Sequence, residues 1–69
     1  MNNYEIIIYY SAKDNAFIAE VPELSGCMAD GQTHVEAVKN VEIAIEEWIE
    51  TAQYIGRTIP EARGKLIYA

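Results

Sequence analysis

With a single cysteine and a single histidine, this chain cannot close an internal disulfide or build a Cys/His zinc site within one copy. Basic residues are also scarce: five Lys and Arg stand against eleven Asp and Glu, for a formal charge of −6. That balance argues against sequence-independent nucleic-acid binding, which needs a basic footprint. It suits a basic protein partner, whose encounter complementary charge speeds and orients. No apolar run reaches the about 20 residues of a membrane span. The opening MNNYEIIIYY lacks the basic region and small-residue cleavage site of a secretory signal, so a cytoplasmic protein is expected. Internal repeats, low-complexity segments, a phosphate loop, a dinucleotide fingerprint and an EF-hand are all missing.

What remains is enough for one small domain over residues 1–69, 51% apolar and 23% charged. Domains of this size commonly need a disulfide, a metal or a partner chain to hold them. The first two being excluded, self-association as a dimer or larger assembly is expected.

Periodicity gives the order β-β-β-α-β. Tyr4–Tyr10 reads as the first strand, with Tyr4, Ile6, Ile8 and Tyr10 on one face and Ile7 and Tyr9 on the other. The polar SAKDN turn, Ser11 to Asn15, leads into AFIAEV, completing a hairpin. Pro22 ends that strand, since it cannot donate to a ladder. The CMAD segment between Gly26 and Gly31 reads as a third strand. A helix from about His34 to Ile55 follows, with Ala37, Val38, Val41, Ala44, Ile45, Trp48, Ala52 and Ile55 on one stripe. Thr33 and Glu36 have capping-box spacing, so the Thr33 hydroxyl accepts from the Glu36 N–H and the Glu36 carboxylate from the Thr33 N–H. Gly56 suits the residue just past the helix end, and Arg57 is placed to meet the last carbonyls. Lys65 to Tyr68 reads as a short final strand, which the helix crossover can return parallel to an earlier one. The fold class is α+β, a small antiparallel sheet with one long helix on one face.

One helix covers one face of a sheet, yet the first strand is apolar on both. Strands of that kind are usually buried on both sides. Ile7 and Tyr9 are therefore candidates for a surface that a second copy or a partner covers. Ile43, set among Glu36, Lys39, Glu46, Glu47 and Glu50 on the outer helix face, is a weaker candidate, an apolar anchor in an acidic rim.

Catalytic arrangements find little support. Ser11, Ser25 and Cys27 are the candidate nucleophiles and His34 the one imidazole, without the Gly-x-Ser-x-Gly elbow. Cys27 reads as structural and His34 as a solvated helix-start residue. Glu5, Glu20, Glu23 and Asp30 could in principle form a two-metal carboxylate cluster, with Glu5 and Glu20 near each other in one register. None sits in a metal motif, so solvated strand-edge acids are the reading, with no catalytic, metal or cofactor residue.

The stretch Glu20–Ala37, EVPELSGCMADGQTHVEA, carries a resemblance. Val21, Pro22, Glu23, Leu24, Gly26 and Cys27 in the turn, then Gly31, Thr33, Glu36 and Ala37 at the helix entry, resemble the HicB-like antitoxin family. The Trp48-Ile49-Glu50 end of the helix and the Gly56, Ile59 and Pro60 tail fit the same pattern. The resemblance implies a degenerate RNase H-like fold without nuclease residues. It also implies a non-enzymatic protein that neutralises a small basic, mRNA-cleaving HicA-type toxin by covering its active surface. Many relatives carry a C-terminal DNA-binding domain; with the sequence ending at Ala69, none is expected here, nor direct contact with nucleic acid. Within that pattern Pro22, Gly26, Gly31, Thr33, Glu36 and Gly56 have structural roles. The alternatives are a stand-alone homo-oligomeric protein-binding module and, less well supported, a residual metal-dependent nuclease using Glu5, Glu20 or Asp30.

Overall fold

The computed structural model describes residues 3–62 of the chain. Three strands, β1 (Ile7–Ser11), β2 (Ala16–Glu20) and β3 (Met28–Gly31), precede one helix, α1 (His34–Ile55). The strands form an antiparallel sheet in the order β1-β2-β3. The fold class is thus α+β, as expected. The final strand expected over Lys65–Tyr68 lies outside the described residues. β1 is shorter than the expected Tyr4–Tyr10, and Tyr4 and Ile6 pack against the core from the approach to the strand.

Register fixes which side chains meet α1. Ile8 pairs with Ala19 and Ala19 with Ala29, and all three lie on the helix side. Small alanines at the middle of this face let the helix settle close. Ala19, Val21, Leu24, Cys27, Ala37, Val41 and Ile45 make up the buried cluster, edged by Phe17, Ala44, Trp48 and Ile49. The predicted stripe on α1 holds up to Ala52, but Ile55 is 63% exposed. Its position on the stripe is right; among the described residues the sheet does not extend beneath it.

The turn between β2 and β3 is two β-turns in succession. The Leu24 N–H donates to the Val21 carbonyl at 3.1 Å, and the Cys27 N–H to the Leu24 carbonyl at 3.0 Å. Pro22 takes the second position of the first turn, where its fixed φ fits. Gly26 takes the third position of the second with φ 76°, the geometry a type II turn requires. A bond from the Val21 N–H to the Cys27 carbonyl at 3.0 Å closes the loop. Leu24, at the junction, is 1% exposed.

At the helix entry the Glu36 N–H donates to Thr33 Oγ1 at 3.0 Å. The Glu36 carboxylate reaches one residue further back than expected, accepting from the Gln32 N–H at 2.7 Å rather than from Thr33. The extended Thr33 backbone (φ −135°, ψ 165°) is the ordinary N-cap conformation. Thr33→Ala is expected to cost about 1 kcal/mol, read as a lower urea midpoint with an unchanged denaturant slope. At the other end α1 closes in a Schellman motif: the Gly56 N–H donates to the Gln53 carbonyl and the Arg57 N–H to the Ala52 carbonyl. The Arg57 side chain does not meet the last carbonyls as expected; its guanidinium carbon lies 4.9 Å from the Trp48 ring centre. Beyond it, the Tyr4 hydroxyl donates to the Pro60 carbonyl, bringing the tail back beside the approach to β1.

Candidate functional site

Each group singled out for chemistry now has a place. Cys27 and His34 flank opposite ends of β3, so the thiol and the imidazole do not form a pair. Cys27 is a buried free thiol, and burial pushes its pKa up, which keeps it protonated and poorly nucleophilic. His34 is not merely solvated: its ring lies 4.2 Å from that of Phe17, tilted by 40°. Ser11 Oγ is engaged in the hairpin turn, donating to Asp14 Oδ2 at 2.9 Å. Ser25 is exposed, and its carbonyl accepts from Trp48 Nε1 at 2.9 Å, tying the turn to the helix.

The carboxylates separate into unrelated jobs. Glu23 Oε1 accepts from the Glu5 N–H at 2.8 Å and so anchors the turn to the approach to β1. Glu20 Oε2 accepts from the Tyr9 hydroxyl at 2.7 Å. This bond, with smaller help from desolvation and neighbouring acids, raises the Tyr9 pKa and keeps the phenol a donor. Among the described residues no group of three or more His, Cys, Asp and Glu is placed to hold a metal ion. No described helix is long and apolar enough to cross a membrane.

The sheet face turned away from α1 is the distinctive surface. Strand alternation puts Ile7 and Tyr9 of β1, Ile18 and Glu20 of β2, and Met28 and Asp30 of β3 on it. The cross-strand rows run Ile7–Glu20–Met28 and Tyr9–Ile18–Asp30. Ile7, Tyr9 and Met28 are 38%, 43% and 51% exposed, whereas Ile18 between its neighbours is nearly covered at 9%. Glu20 is half-buried in the middle of the first row. A shallow depression bounded by Asp14, Ile18, Met28, Ala29 and Asp30 continues this face toward the hairpin turn.

The outer helix face also carries its expected residues outward: Ile43 is 55% exposed, with Glu46, Glu47 and Glu50 solvated. These acids border Ile43 without making a continuous apolar surface. Glu47 in fact turns toward a groove between α1 and the start of β3, which Trp48, Ala52, Ile55 and Met28 also line. Ile7 and Tyr9 therefore share a surface, and Ile43 with Glu46 and Glu50 lies on a separate one on the helix layer, with Glu47 turned to the groove between the two. Sequence reasoning missed Met28, Ile18 and the central position of Glu20. Met28 and Asp30 alternate with Ala29, a signal present in the sequence, but the hairpin register needed to place Glu20 between Ile7 and Met28 was not.

The comparisons with known proteins point one way. A family model described as the HicB-like antitoxin of bacterial toxin-antitoxin systems matches residues 4–66. A UPF0150 protein of Synechocystis sp. is 38% identical over 64 residues, covering 93% of this chain and 86% of the relative. A UPF0150 protein of Thermoplasma acidophilum is 33% identical over 54 residues, 78% of each chain. No solved structure matches significantly.

Proposed function

The chain belongs to the HicB-like antitoxin family, and from that premise we propose that it is a non-catalytic antitoxin, neutralising a small basic HicA-type toxin by covering its RNA-cleaving surface. The family match across residues 4–66 is the observation that carries this reading. The charge of −6 supports it, because an RNA-cleaving protein must present cations to its substrate. The separated carboxylates and the buried thiol support a role by contact in place of chemistry.

The reading takes residues 1–69 as one antitoxin domain with a degenerate RNase H-like fold, acting in the cytoplasm where the toxin meets mRNA. It includes self-association, since one cysteine excludes an internal disulfide as the staple for so small a core. Co-expression with a small, basic HicA-type toxin is the test. Growth rescue and a co-purifying complex are expected. Toxicity that persists, with no complex recovered, would sink the proposal.

A further inference from the structure

We infer that the sheet face turned away from α1 docks a basic partner, which seats an arginine or lysine on the Glu20 carboxylate and covers Ile7, Tyr9 and Met28 with apolar surface. This deepens the antitoxin reading and rests on it, by assigning the surface and the chemistry that the partner must bring.

The position of Glu20 selects the occupant. Its carboxylate sits between two exposed apolar residues, Ile7 and Met28, in one cross-strand row. Any partner that covers these side chains also takes Glu20 out of water. An ionised carboxylate has acceptor capacity for about four hydrogen bonds, and Tyr9 supplies one at 2.7 Å. A neutral apolar partner would leave the rest of that charge uncompensated, which is strongly unfavourable. A planar guanidinium answers both needs, because it forks onto a carboxylate and stacks on an aromatic ring such as Tyr9.

A second copy fits this face poorly. Laid face to face, it would add its own Asp14, Glu20 and Asp30 to those already at the rim, with Lys13 in the adjoining turn as the nearby cation among the described residues. Like charges set across an interface oppose association. Self-association accordingly uses other surface.

The test compares binding of the wild-type chain and its variants to a small, basic HicA-type toxin, the one that the wild-type chain neutralises on co-expression. Glu20→Lys is expected to weaken binding about 100-fold or more, as truncating or reversing one partner of a buried charge pair does. Glu20→Gln should weaken it about tenfold and make binding less sensitive to added salt, because one ion pair is lost. Met28→Asp should weaken it comparably, while Glu46→Lys with Glu50→Lys on the outer helix face should stay within threefold of wild type. Circular dichroism melts confirm that each variant folds; Glu20→Gln, a near-isosteric change at a half-exposed position, guards against misfolding as the explanation.

Unchanged affinity for the Glu20 and Met28 variants, with loss in the helix variant, would overturn the face assignment and leave the antitoxin reading intact. No binding by the wild-type chain would overturn both. Tighter self-association of Glu20→Gln by light scattering would show the face to be a contact between copies, and would also overturn the inference.

Discussion

Replacing Gly31 with alanine should lower the melting temperature by about 10–20 °C, far more than its one added methyl suggests. A Cβ built on Gly31 would lie 2.5 Å from the Ala37 backbone nitrogen and 2.8 Å from the Glu36 carbonyl carbon. Both are main-chain atoms of the first turn of α1, held by the Thr33 cap and the bond from the Ala37 N–H to the Thr33 carbonyl at 3.0 Å. A side chain could rotate away; this turn has to move as a unit. Overpacking costs about 1–3 kcal/mol, and rigid neighbours argue for the upper half of that range. In a domain of this size each kcal/mol moves the midpoint by about 4–8 °C. Gly26→Ala provides the contrast, since nothing lies within 4 Å of its added Cβ and the cost is that of holding alanine at φ 76°. About 1–2 kcal/mol is expected there. Equal losses at the two sites, measured by thermal melts, would show that the close approach at Gly31 is not what demands glycine.

The second large effect is expected at Leu24, which stands in a turn yet is among the most completely buried side chains. Leu24→Ala should remove about 3 kcal/mol, the usual cost of lost transfer energy plus a residual cavity. Total stability for a chain of this length is roughly 3–10 kcal/mol at about 0.05–0.15 per residue. The variant is therefore expected to be partly unfolded or close to it at 37 °C. The two β-turns that flank Leu24 hold their backbone hydrogen bonds independently of its side chain, so the turn has little means to collapse into the space. Leu24→Met, nearly conserving volume, should cost less than about 1.5 kcal/mol. Urea unfolding of both variants decides the matter: a midpoint for Leu24→Ala within experimental error of wild type would mean that the turn is not part of the core.

These two positions illustrate what could be read in advance. The bounds of α1 followed from its apolar period, the Thr33 cap and Gly56, because helix signals are local and lie within a few residues of one another. Gly31 was recognisable as part of a motif, but a glycine kept for close approach looks the same in sequence as one kept for a turn. Leu24 was legible only as a motif letter, since burial of a turn residue depends on where the helix crosses it. The open face was half legible. Ile7 and Tyr9 came from alternation within β1, whereas the row that joins Ile7 to Glu20 and Met28 depends on a register set by the turn around Asn15. Asn15 takes a left-handed φ of 52°, and its Oδ1 accepts from the Tyr10 hydroxyl, a detail outside any periodicity. The Glu36 carboxylate missed its expected partner by one residue for a similar reason: spacing identifies the box, but the chain path into the helix decides which N–H it meets.

Trp48 gives the molecule a built-in optical probe, because it is the chain's one tryptophan. Its indole bonds to the Ser25 carbonyl and lies under the Arg57 guanidinium, on the helix side of the sheet. Ile7 and Glu20 occupy the other side, with Met28 at the edge that also borders the Trp48 groove. Loss of the double turn or of the helix end must therefore change its emission, while a ligand resting over Ile7 and Glu20 lies across the sheet from the indole. A single fluorescence trace can thus report integrity of the fold during a titration, leaving occupancy of the opposite surface to be followed by a separate label.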